Sequence, residues 1–235
     1  MVQRESGAAA PEQQTILLVE DDPMVQEIVQ FQLRWVGYTV HGTRTGEEAL
    51  TQMHTTPADL VLLDLGLPGM SGLDVLHALR AQSNVPVIIV TGDADEQSRL
   101  EGFRAGADDY VVKPFSVEEL THRVRAVLRR IHPETVVDEL SGPDGLMIRP
   151  RAHQVFVGET EVHLTRTEYS LLYDLLSHRG EVREADTLSL AVWGHETFQS
   201  RNYLEAQVSR LRGKLAAFGA EDVVTTVRGV GYAVR

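Results

Sequence analysis

Short apolar strands alternate with amphipathic helices five times in the first 131 residues, and this alternation constrains the fold more than any other feature of the sequence. Predicted strands cover residues 15–19, 38–42, 60–63, 85–90 and 110–112. Residues 60–63 are apolar at every position, as in a strand that is buried on both faces of a parallel sheet. Because consecutive parallel strands need crossover helices, we expect an α/β fold with a doubly wound, five-stranded parallel sheet.

Polar side chains follow four of these strands directly. Glu20 and Asp21 come after the first strand, Asp64 after the third, Thr91 after the fourth and Lys113 after the fifth. An isolated aspartate after an apolar run is more often a turn residue than a reactive group. The carboxyl ends of parallel strands lie at one edge of the sheet, where ligand chemistry gathers in open α/β folds, so these side chains are expected to share a pocket.

The predicted pocket has the composition of a phosphoryl-transfer site. Carboxylates that lie this close together cannot all ionise without a cation, and Asp21, Asp64 and a backbone carbonyl just past Asp64 suit Mg²⁺. Lys113 offers a positive charge for an anion, and the hydroxyl of Thr91 offers a hydrogen bond. These groups together predict that Asp64 attacks a phosphorus atom while the pocket neutralises the phosphoryl oxygens.

The pattern changes after residue 142. Short strands are predicted at residues 146–148, 154–157 and 161–164, helices near residues 165–176, 184–193 and 202–215, and a hairpin at residues 223–234. The connections between these strands are too short for crossover helices. The sequence therefore predicts a second, α+β domain. We expect a disordered tail at residues 1–14, the first domain at 15–131, a linker at 132–142 and the second domain at 143–235.

The last predicted helix carries Gln207, Arg210, Arg212 and Lys214 away from its apolar stripe, and Arg201 and Asn202 lie at its start. These six residues are the candidate DNA contacts of the helix. Such side chains on an exposed helix can reach phosphates and base edges in a major groove, although a solvated helix face is the plainer interpretation of the cluster by itself.

Overall charge argues against nucleic-acid binding, but the charge is unevenly distributed. The net charge of the chain is -12. Through residue 131 there are 19 acidic and 11 basic residues, whereas from residue 143 onward there are 12 and 11. The second domain is thus close to neutral, and local clusters of charged residues decide its partners.

The absence of cysteine excludes thiolate catalysis and Cys-ligated zinc. No membrane span or secretory leader is evident, so we expect a cytoplasmic protein.

Four motifs in order resemble a response-regulator receiver domain over residues 15–130. They are Val19-Glu20-Asp21-Asp22, the run from Asp64 to Gly72, Val90-Thr91-Gly92, and the run from Gly106 to Phe115. The resemblance implies a flavodoxin-like fold and phosphorylation of Asp64 by a partner histidine kinase. It also implies a cis peptide bond between Lys113 and Pro114.

The same resemblance assigns the metal site and the switch. It implies Mg²⁺ on Asp21, Asp64 and the Gly66 carbonyl, with Glu20 acting mainly through water. Thr91 and Tyr110 would form the switch, with Thr91 moving onto the phosphoryl group and Tyr110 turning inward.

Residues 146–235 resemble the winged-helix output domain of the OmpR/PhoB family. The motifs are 164–168, 192–194, 209–215 and 226–232, the last reading Thr-Val-Arg-Gly-Val-Gly-Tyr. The resemblance implies a recognition helix in the major groove and a wing whose Arg228 reaches the minor groove. The loop from Gly194 to Ser200 is where relatives touch RNA polymerase. The two resemblances together imply a phosphorylation-dependent transcription regulator rather than an enzyme.

Receivers of this family pair through their fourth and fifth helices and the strand between them. Arg99 with Glu119, and Asp109 with Arg123, are available as ion pairs between two copies, so a homodimer on phosphorylation is expected. The alternative is that these charges only solvate the surface.

Three other functions fit part of the sequence. An aspartate-nucleophile phosphatase would share Asp64 and Mg²⁺, but such enzymes need an acid two residues further on, where this chain has Gly66. A protein-interaction module that no longer binds DNA would not need Arg210, Arg212 and Arg228. A DNA-binding regulator that acts independently of phosphorylation remains the main alternative.

Overall fold

The first domain is a five-stranded parallel sheet with helices on both faces, which confirms the predicted doubly wound fold. The computed structural model describes residues 14–92, 96–129, 138–193 and 200–235. The strand order is β2-β1-β3-β4-β5, and all neighbouring strands are parallel. The strands are β1 Thr15–Val19, β2 Thr39–Thr43, β3 Leu60–Leu63, β4 Val87–Thr91 and β5 Asp109–Val112. The helices are α1 Pro23–Trp35, α2 Gly46–Thr55, α3 Gly72–Gln82, α4 Glu96–Ala105 and α5 Val117–Arg129.

The central strands lie in the middle of the apolar core of this domain. Every residue of β3 and β4 is buried, and the side chains alternate between two apolar layers. One layer packs against α2, α3 and α4, and the other packs against α1 and α5. The register pairs Val19 with Leu63, and the amide of Asp64 donates to the carbonyl of Val19 at 3.0 Å. The residues that follow β1 and β3 are therefore held side by side.

Local capping fixes where the helices begin. Asp22 accepts from the amides of Met24 and Val25 and caps α1, which begins with Pro23. In the second domain, Thr165 and Glu168 form a complete capping box. Both features are typical of helix starts in their residue types and spacing.

Within its described residues, the second domain combines two small antiparallel sheets with three α-helices. The first sheet contains β6 Leu140–Ser141, β7 Leu146–Arg149, β8 Gln154–Val157 and β9 Thr160–Glu161. The second sheet has the order β10-β12-β11, with β10 Arg183–Glu184, β11 Val224–Val227 and β12 Gly231–Val234. The helices are α6 Arg166–Ser177, α7 Ala185–Trp193 and α8 Ser200–Ala216. This is the arrangement expected for a winged helix.

Three short strands differ from the prediction. Strand β6 lies inside the segment that was predicted to be linker, where it pairs with β7. The predicted strand at residues 161–164 is replaced by β9, which ends at Glu161. Glu184 was predicted to begin a helix, yet it belongs to β10 and pairs with Gly231. Two-residue strands carry no periodicity, so only their tertiary partners specify them.

The two domains pack closely together. Helix α4 of the first domain lies against α8 of the second. Tyr203 and Ala206 of α8 are buried in the same apolar cluster as Phe103 of α4. The Phe103 and Tyr203 rings lie 3.9 Å apart, centroid to centroid.

No helix within the described residues is long and apolar enough to cross a membrane.

Candidate functional site

The carboxyl edge of the first sheet brings together an acidic pocket around Lys113. The ammonium of Lys113 donates to both carboxylate oxygens of Glu20, at 2.8 and 2.6 Å, and to Oδ2 of Asp64 at 2.6 Å. Glu20 is 1% exposed and Asp64 is 6% exposed. These three predicted residues thus come from the ends of β1, β3 and β5 and form one contiguous ion-paired group.

Asp21 completes a set of oxygen ligands at this edge. Carboxylate oxygens of Glu20, Asp21 and Asp64 lie within 4.8 Å of one another, and Asp21 itself is exposed. Mg²⁺ takes oxygen ligands in octahedral geometry and retains several waters. Two buried carboxylates beside an exposed one fit that preference, because the exposed side leaves room for water and for an incoming anion.

The electrostatics of the pocket reflect its burial. Burial raises the pKa of Glu20, and the neighbouring charge of Asp64 adds to the rise, whereas Lys113 opposes it. Burial alone would lower the pKa of Lys113, but its hydrogen bonds with Asp64 and Glu20 outweigh this effect and raise it. Lys113 is therefore firmly charged at neutral pH and acts as a fixed cation beside the two carboxylates.

The loop after β3 is shaped around Asp64. The amide of Gly66 donates to Oδ1 of Asp64 at 3.0 Å, so one carboxylate oxygen faces Gly66 and the other faces Lys113. A Cβ at Gly72 would collide with the backbone oxygen of Asp64 and lie 2.6 Å from the Cα of Leu65. Only glycine at the start of α3 lets this helix approach the Asp64 loop so closely.

The two predicted switch residues lie on neighbouring strands. Thr91 ends β4 and is 3% exposed, whereas Tyr110 lies in β5 and is 6% exposed. The ring of Tyr110 packs at 6.2 Å from Phe103. The predicted cis peptide bond between Lys113 and Pro114 is present.

The predicted DNA contacts on helix α8 differ in their exposure to solvent. Asn202 is exposed, but Gln207 is only 1% exposed and its Nε2 donates to the carbonyl of Ala107 at 2.8 Å. The expectation that Gln207 lies on an exposed helix face is therefore wrong in this structure, because the first domain covers it. Arg201 belongs to α8, but its side chain lies outside the described residues.

The cations of α8 also have partners within the chain. Arg210 pairs with Glu168 at 3.3 Å and donates to the carbonyl of Arg104 at 2.6 Å. Lys214 pairs with Glu168 at 2.7 Å. These two predicted DNA contacts thus neutralise a fully buried carboxylate of α6, which a helical-face argument from sequence does not anticipate.

The wing lies between β11 and β12. Arg212 donates to the carbonyl of Val224 and to the hydroxyl of Thr226, both at 2.8 Å, which ties α8 to the wing. Arg228 is exposed at the tip, and Gly229 beside it has a φ of +75°. A positive φ there favours glycine and forms the tight turn. The loop from Gly194 to Ser200, predicted to touch RNA polymerase, lies outside the described residues except for the backbone of Ser200.

The predicted dimer residues make their contacts within one chain. Arg123 bonds Asp109 at 3.2 Å and Glu119 at 2.9 Å. The Asp109–Arg123 pair, expected between two copies, is thus satisfied internally here. Arg99 of α4 is half-buried, and within the described residues its buried Nε has no hydrogen-bond partner.

Asp108 is a structural centre that sequence reasoning missed. It is fully buried, and its Oδ2 forms an ion pair with Nη2 of Arg80 at 2.9 Å. Across the domain boundary, its Oδ1 accepts from the hydroxyl of Thr167 at 2.7 Å, and its backbone oxygen accepts from the indole nitrogen of Trp193 at 3.1 Å. The sequence showed Asp108 only as part of the run from Gly106 to Phe115, and no spacing links it to Thr167 or Trp193.

Comparisons with known proteins agree with the two-domain organisation of the chain. Residues 16–125 match the response regulator receiver domain, and residues 159–234 match the C-terminal domain of transcriptional regulatory proteins. The response regulator ArlR of Staphylococcus epidermidis is 37% identical over 220 residues, which cover 94% of this chain and 99% of ArlR. ArlR of Staphylococcus aureus is 36% identical over the same coverage.

Two solved structures superpose over nearly the whole of this chain. A mutant of RitR superposes with a TM-score of 0.75 at 28% identity. DrrB of Thermotoga maritima, an OmpR/PhoB homologue, superposes with a TM-score of 0.51 at 29% identity. Each comparison covers 94% of this chain and 99% of the other.

A receiver domain with an acidic pocket, followed by a winged helix, defines the response regulators of two-component systems. This chain belongs to that family, in its OmpR/PhoB-type branch, and is a transcription factor rather than an enzyme.

Proposed function

We propose that this chain regulates transcription by accepting a phosphoryl group on Asp64 from a sensor histidine kinase. The observation that carries the proposal is that the Lys113 ammonium donates hydrogen bonds to both Asp64 and Glu20. These bonds keep a nucleophilic carboxylate beside a fixed cation at the edge of the sheet. This is the arrangement that phosphoryl transfer to a carboxylate requires.

The chemistry follows from the contacts of Asp64. The hydrogen bond from Gly66 orients the carboxylate, and one of its oxygens attacks the phosphorus of a phosphohistidine. A phosphorus–oxygen bond forms, the phosphorus–nitrogen bond breaks, and the electron pair leaves with the imidazole nitrogen. Lys113 then turns from an ion-pair partner of Asp64 into a partner of the new phosphoryl oxygens, and the Thr91 hydroxyl lies at the neighbouring strand end to donate a hydrogen bond.

The donor set at the pocket fits Mg²⁺. Glu20, Asp21 and Asp64 would hold it, with the Gly66 carbonyl as a further ligand and Glu20 acting mainly through water. Bound Mg²⁺ would neutralise charge on the phosphoryl oxygens as they approach the carboxylates.

The second domain would carry the output. We assign α8 to the major groove and the wing to the minor groove, with the following residues in contact with DNA: Arg201, Asn202, Gln207, Arg210, Arg212, Lys214 and Arg228. Support comes from the exposure of Asn202 and Arg228 and from the family membership of the domain. Phosphorylation would promote a homodimer through Arg99, Asp109, Glu119 and Arg123, and the loop before α8 would contact RNA polymerase. Action on chromosomal DNA would place the protein in the cytoplasm.

The phosphorylation step is tested with a small-molecule phosphoryl donor, acetyl phosphate, and Mg²⁺. Intact-mass measurement on wild type should show one added phosphoryl group that is lost in alkali, as an acyl phosphate is, and no addition on Asp64→Ala. The variant Asp138→Ala removes an exposed carboxylate elsewhere and should be phosphorylated like wild type. Equal phosphorylation of Asp64→Ala would contradict the assignment.

A further inference from the structure

A cavity of about 250 Å³ lies where the receiver meets the second domain. Asn84 lines it from the loop between α3 and β4, and the remaining wall comes from residues 153, 155, 161–166 and 169 of the second domain. None of these residues belongs to the pocket around Asp64 or to the proposed DNA contacts. The cavity is therefore a separate site.

Arg166, the first residue of α6, brings a partly buried cation to the wall of this cavity. Its Nη1 is buried and has no hydrogen-bond partner within the part of the chain that the structure describes. Burial lowers the pKa of Arg166, although the charges of Asp108 and Asp59 oppose this effect. A guanidinium stays protonated at physiological pH, so Arg166 is a partly desolvated positive charge with an unused donor.

Tyr169, one turn further along α6, supplies a second unused donor. The residue is 6% exposed, and its Oη is buried and lacks a hydrogen-bond partner among the described residues. Burial raises the pKa of Tyr169 to about 12, and neighbouring Tyr173 adds to the rise, so the hydroxyl is protonated at neutral pH. Buried polar atoms are nearly always hydrogen-bonded in native proteins, so two unsatisfied donors on residues of one cavity wall indicate a missing acceptor.

We propose that this cavity binds a small monocarboxylic acid, whose carboxylate accepts hydrogen bonds from Arg166 and Tyr169. An ionised carboxylate offers only acceptors, and its two oxygens match the planar guanidinium. The side chain of Arg166 is only half-buried, so its rotatable bonds let Nη1 turn toward such a ligand. The bound acid would satisfy both donors and neutralise the charge of Arg166.

The rest of the wall favours a ligand with an apolar body and a single charge. Val155, Val162 and Leu164 line the cavity beside Tyr169. Glu161 is also part of the wall and would repel a second negative charge, which disfavours phosphate. The volume lies below the range of pockets for drug-sized ligands, roughly 300–1,000 Å³, so the expected ligand is about the size of benzoate.

A ligand in this cavity would give the protein an input that is separate from phosphorylation. Asn84 and Arg166 come from different domains, so a bound acid would contact both of them. Asp64 is not part of the wall, and Asp64→Ala should therefore bind the acid as tightly as wild type does. The acid site thus goes beyond the proposed function and does not depend on it.

The test measures benzoate binding to full-length, unphosphorylated protein by isothermal titration calorimetry at constant ionic strength. Benzamide is the matched probe, because it has nearly the same shape and no charge. Inorganic phosphate is the third probe. We expect benzoate to bind at least about tenfold more tightly than either, since hydrogen bonds between charged groups are stronger than neutral ones and the apolar wall suits the ring.

Two variants test the donors, each with a control. Arg166→Gln removes the charge, and Arg179→Gln is its control, since Arg179 is exposed and donates to the carbonyl of Ser141 outside the cavity. Tyr169→Phe removes only the hydroxyl, and Tyr173→Phe is its control on the same helix. Arg166→Gln and Tyr169→Phe should each weaken benzoate binding about tenfold, whereas both controls should bind as wild type.

A measurement without ligand separates a binding role of Tyr169 from a structural one. The hydroxyl has no partner to lose among the described residues, so Tyr169→Phe should unfold at or above the midpoint temperature of wild type. A clearly lower midpoint would show that the hydroxyl stabilises the fold, and it would overturn the assignment of this donor to a ligand.

Absence of benzoate binding to wild type would overturn the proposal, as would equally tight binding of benzamide or phosphate. Unchanged benzoate affinity in Arg166→Gln or Tyr169→Phe would also overturn it. Asp64→Ala is titrated beside these variants, so that a failure of the phosphorylation step and a failure of the acid site are observed separately.

Discussion

Nε2 of Gln207 donates to the carbonyl of Ala107 at 2.8 Å, so a side chain assigned to DNA reading is bound to the receiver domain instead. One hundred residues of sequence separate the two groups. The contact joins α8 of the second domain to the short loop between α4 and β5 of the receiver domain.

Magnesium should stabilise the receiver through Asp21. Adding saturating Mg²⁺ to wild type should raise the midpoint of thermal unfolding, since a ligand present at about 100 times its dissociation constant stabilises by roughly 2.7 kcal/mol. Asp21→Asn should remove this rise, because the amide is a poorer ligand without charge. Asp22→Asn is the control, since asparagine still caps α1 and the rise should persist. A Mg²⁺ response in Asp21→Asn equal to that of wild type would speak against the metal site.

Gly72 should not tolerate a side chain. Gly72→Ala places a Cβ against the backbone of Asp64 and Leu65, which cannot move away cheaply, so we expect a loss of about 2 kcal/mol in the free energy of unfolding. Gly213→Ala in α8 meets open space and should instead add about 0.5 to 1 kcal/mol. Denaturant titration of both variants checks the contrast, and equal effects would show that the close approach at Gly72 is unimportant.

Glu168 should be essential for the stability of the second domain. It is fully buried between Lys214 and Arg210, and Glu168→Gln leaves these cations without their counter-charge, which we expect to cost about 3 kcal/mol. Trp193 fluorescence in a Trp35→Phe background reports unfolding of this domain. Glu159→Gln, at an exposed turn, should leave stability unchanged.

The contribution of Glu168 to the free energy of unfolding should decrease as the pH is lowered. Burial would raise its pKa, but the charge and hydrogen bond of Lys214 outweigh this effect and hold it below the ordinary value of 4.5. The unfolded chain therefore takes up the proton first as the pH falls, and the stabilisation is complete above 4.5 and lost below it, as the pH passes through the folded pKa. The stability difference between wild type and Glu168→Gln should shrink on acidification, and a difference that grows would contradict the assignment.

Arg228 should contribute to DNA affinity through phosphate contact. Arg228→Ala should weaken binding to specific and random duplexes alike, and it should reduce the slope of log affinity against log salt by about 0.9. Arg151→Ala removes a cation that is also exposed but pairs with Asp138 and does not belong to the wing, so it is the matched control. Anisotropy titrations at several salt concentrations measure both slopes, and equal slopes for wild type and Arg228→Ala would exclude this contact.

The parts of the structure that sequence predicted are those that local pattern determines. Five apolar strands in alternation with helices required a parallel sheet, and its carboxyl edge necessarily gathered Glu20, Asp64 and Lys113. The capping residues Asp22 and Thr165 were likewise readable from type and spacing. In each case the information lies in residues close in sequence or in a rule about sheet edges.

The parts that sequence did not predict depend on contacts between distant segments. The burial of Gln207 and the role of Asp108 arise only when the two domains dock, and no periodicity records docking. The strand at Leu140–Ser141 has too few residues to show a pattern and exists because β7 offers it a partner. The pairing of Lys214 with Glu168 required knowing how α6 and α8 cross.

The most direct test of the account measures DNA affinity with and without acetyl phosphate, in the presence of Mg²⁺, for wild type and Asp64→Ala. We expect the phosphoryl donor to tighten DNA binding by wild type and to leave the weak DNA binding of Asp64→Ala unchanged. Equal affinity in all four conditions would contradict it, because the winged helix would then bind DNA without any control from the pocket at Asp64.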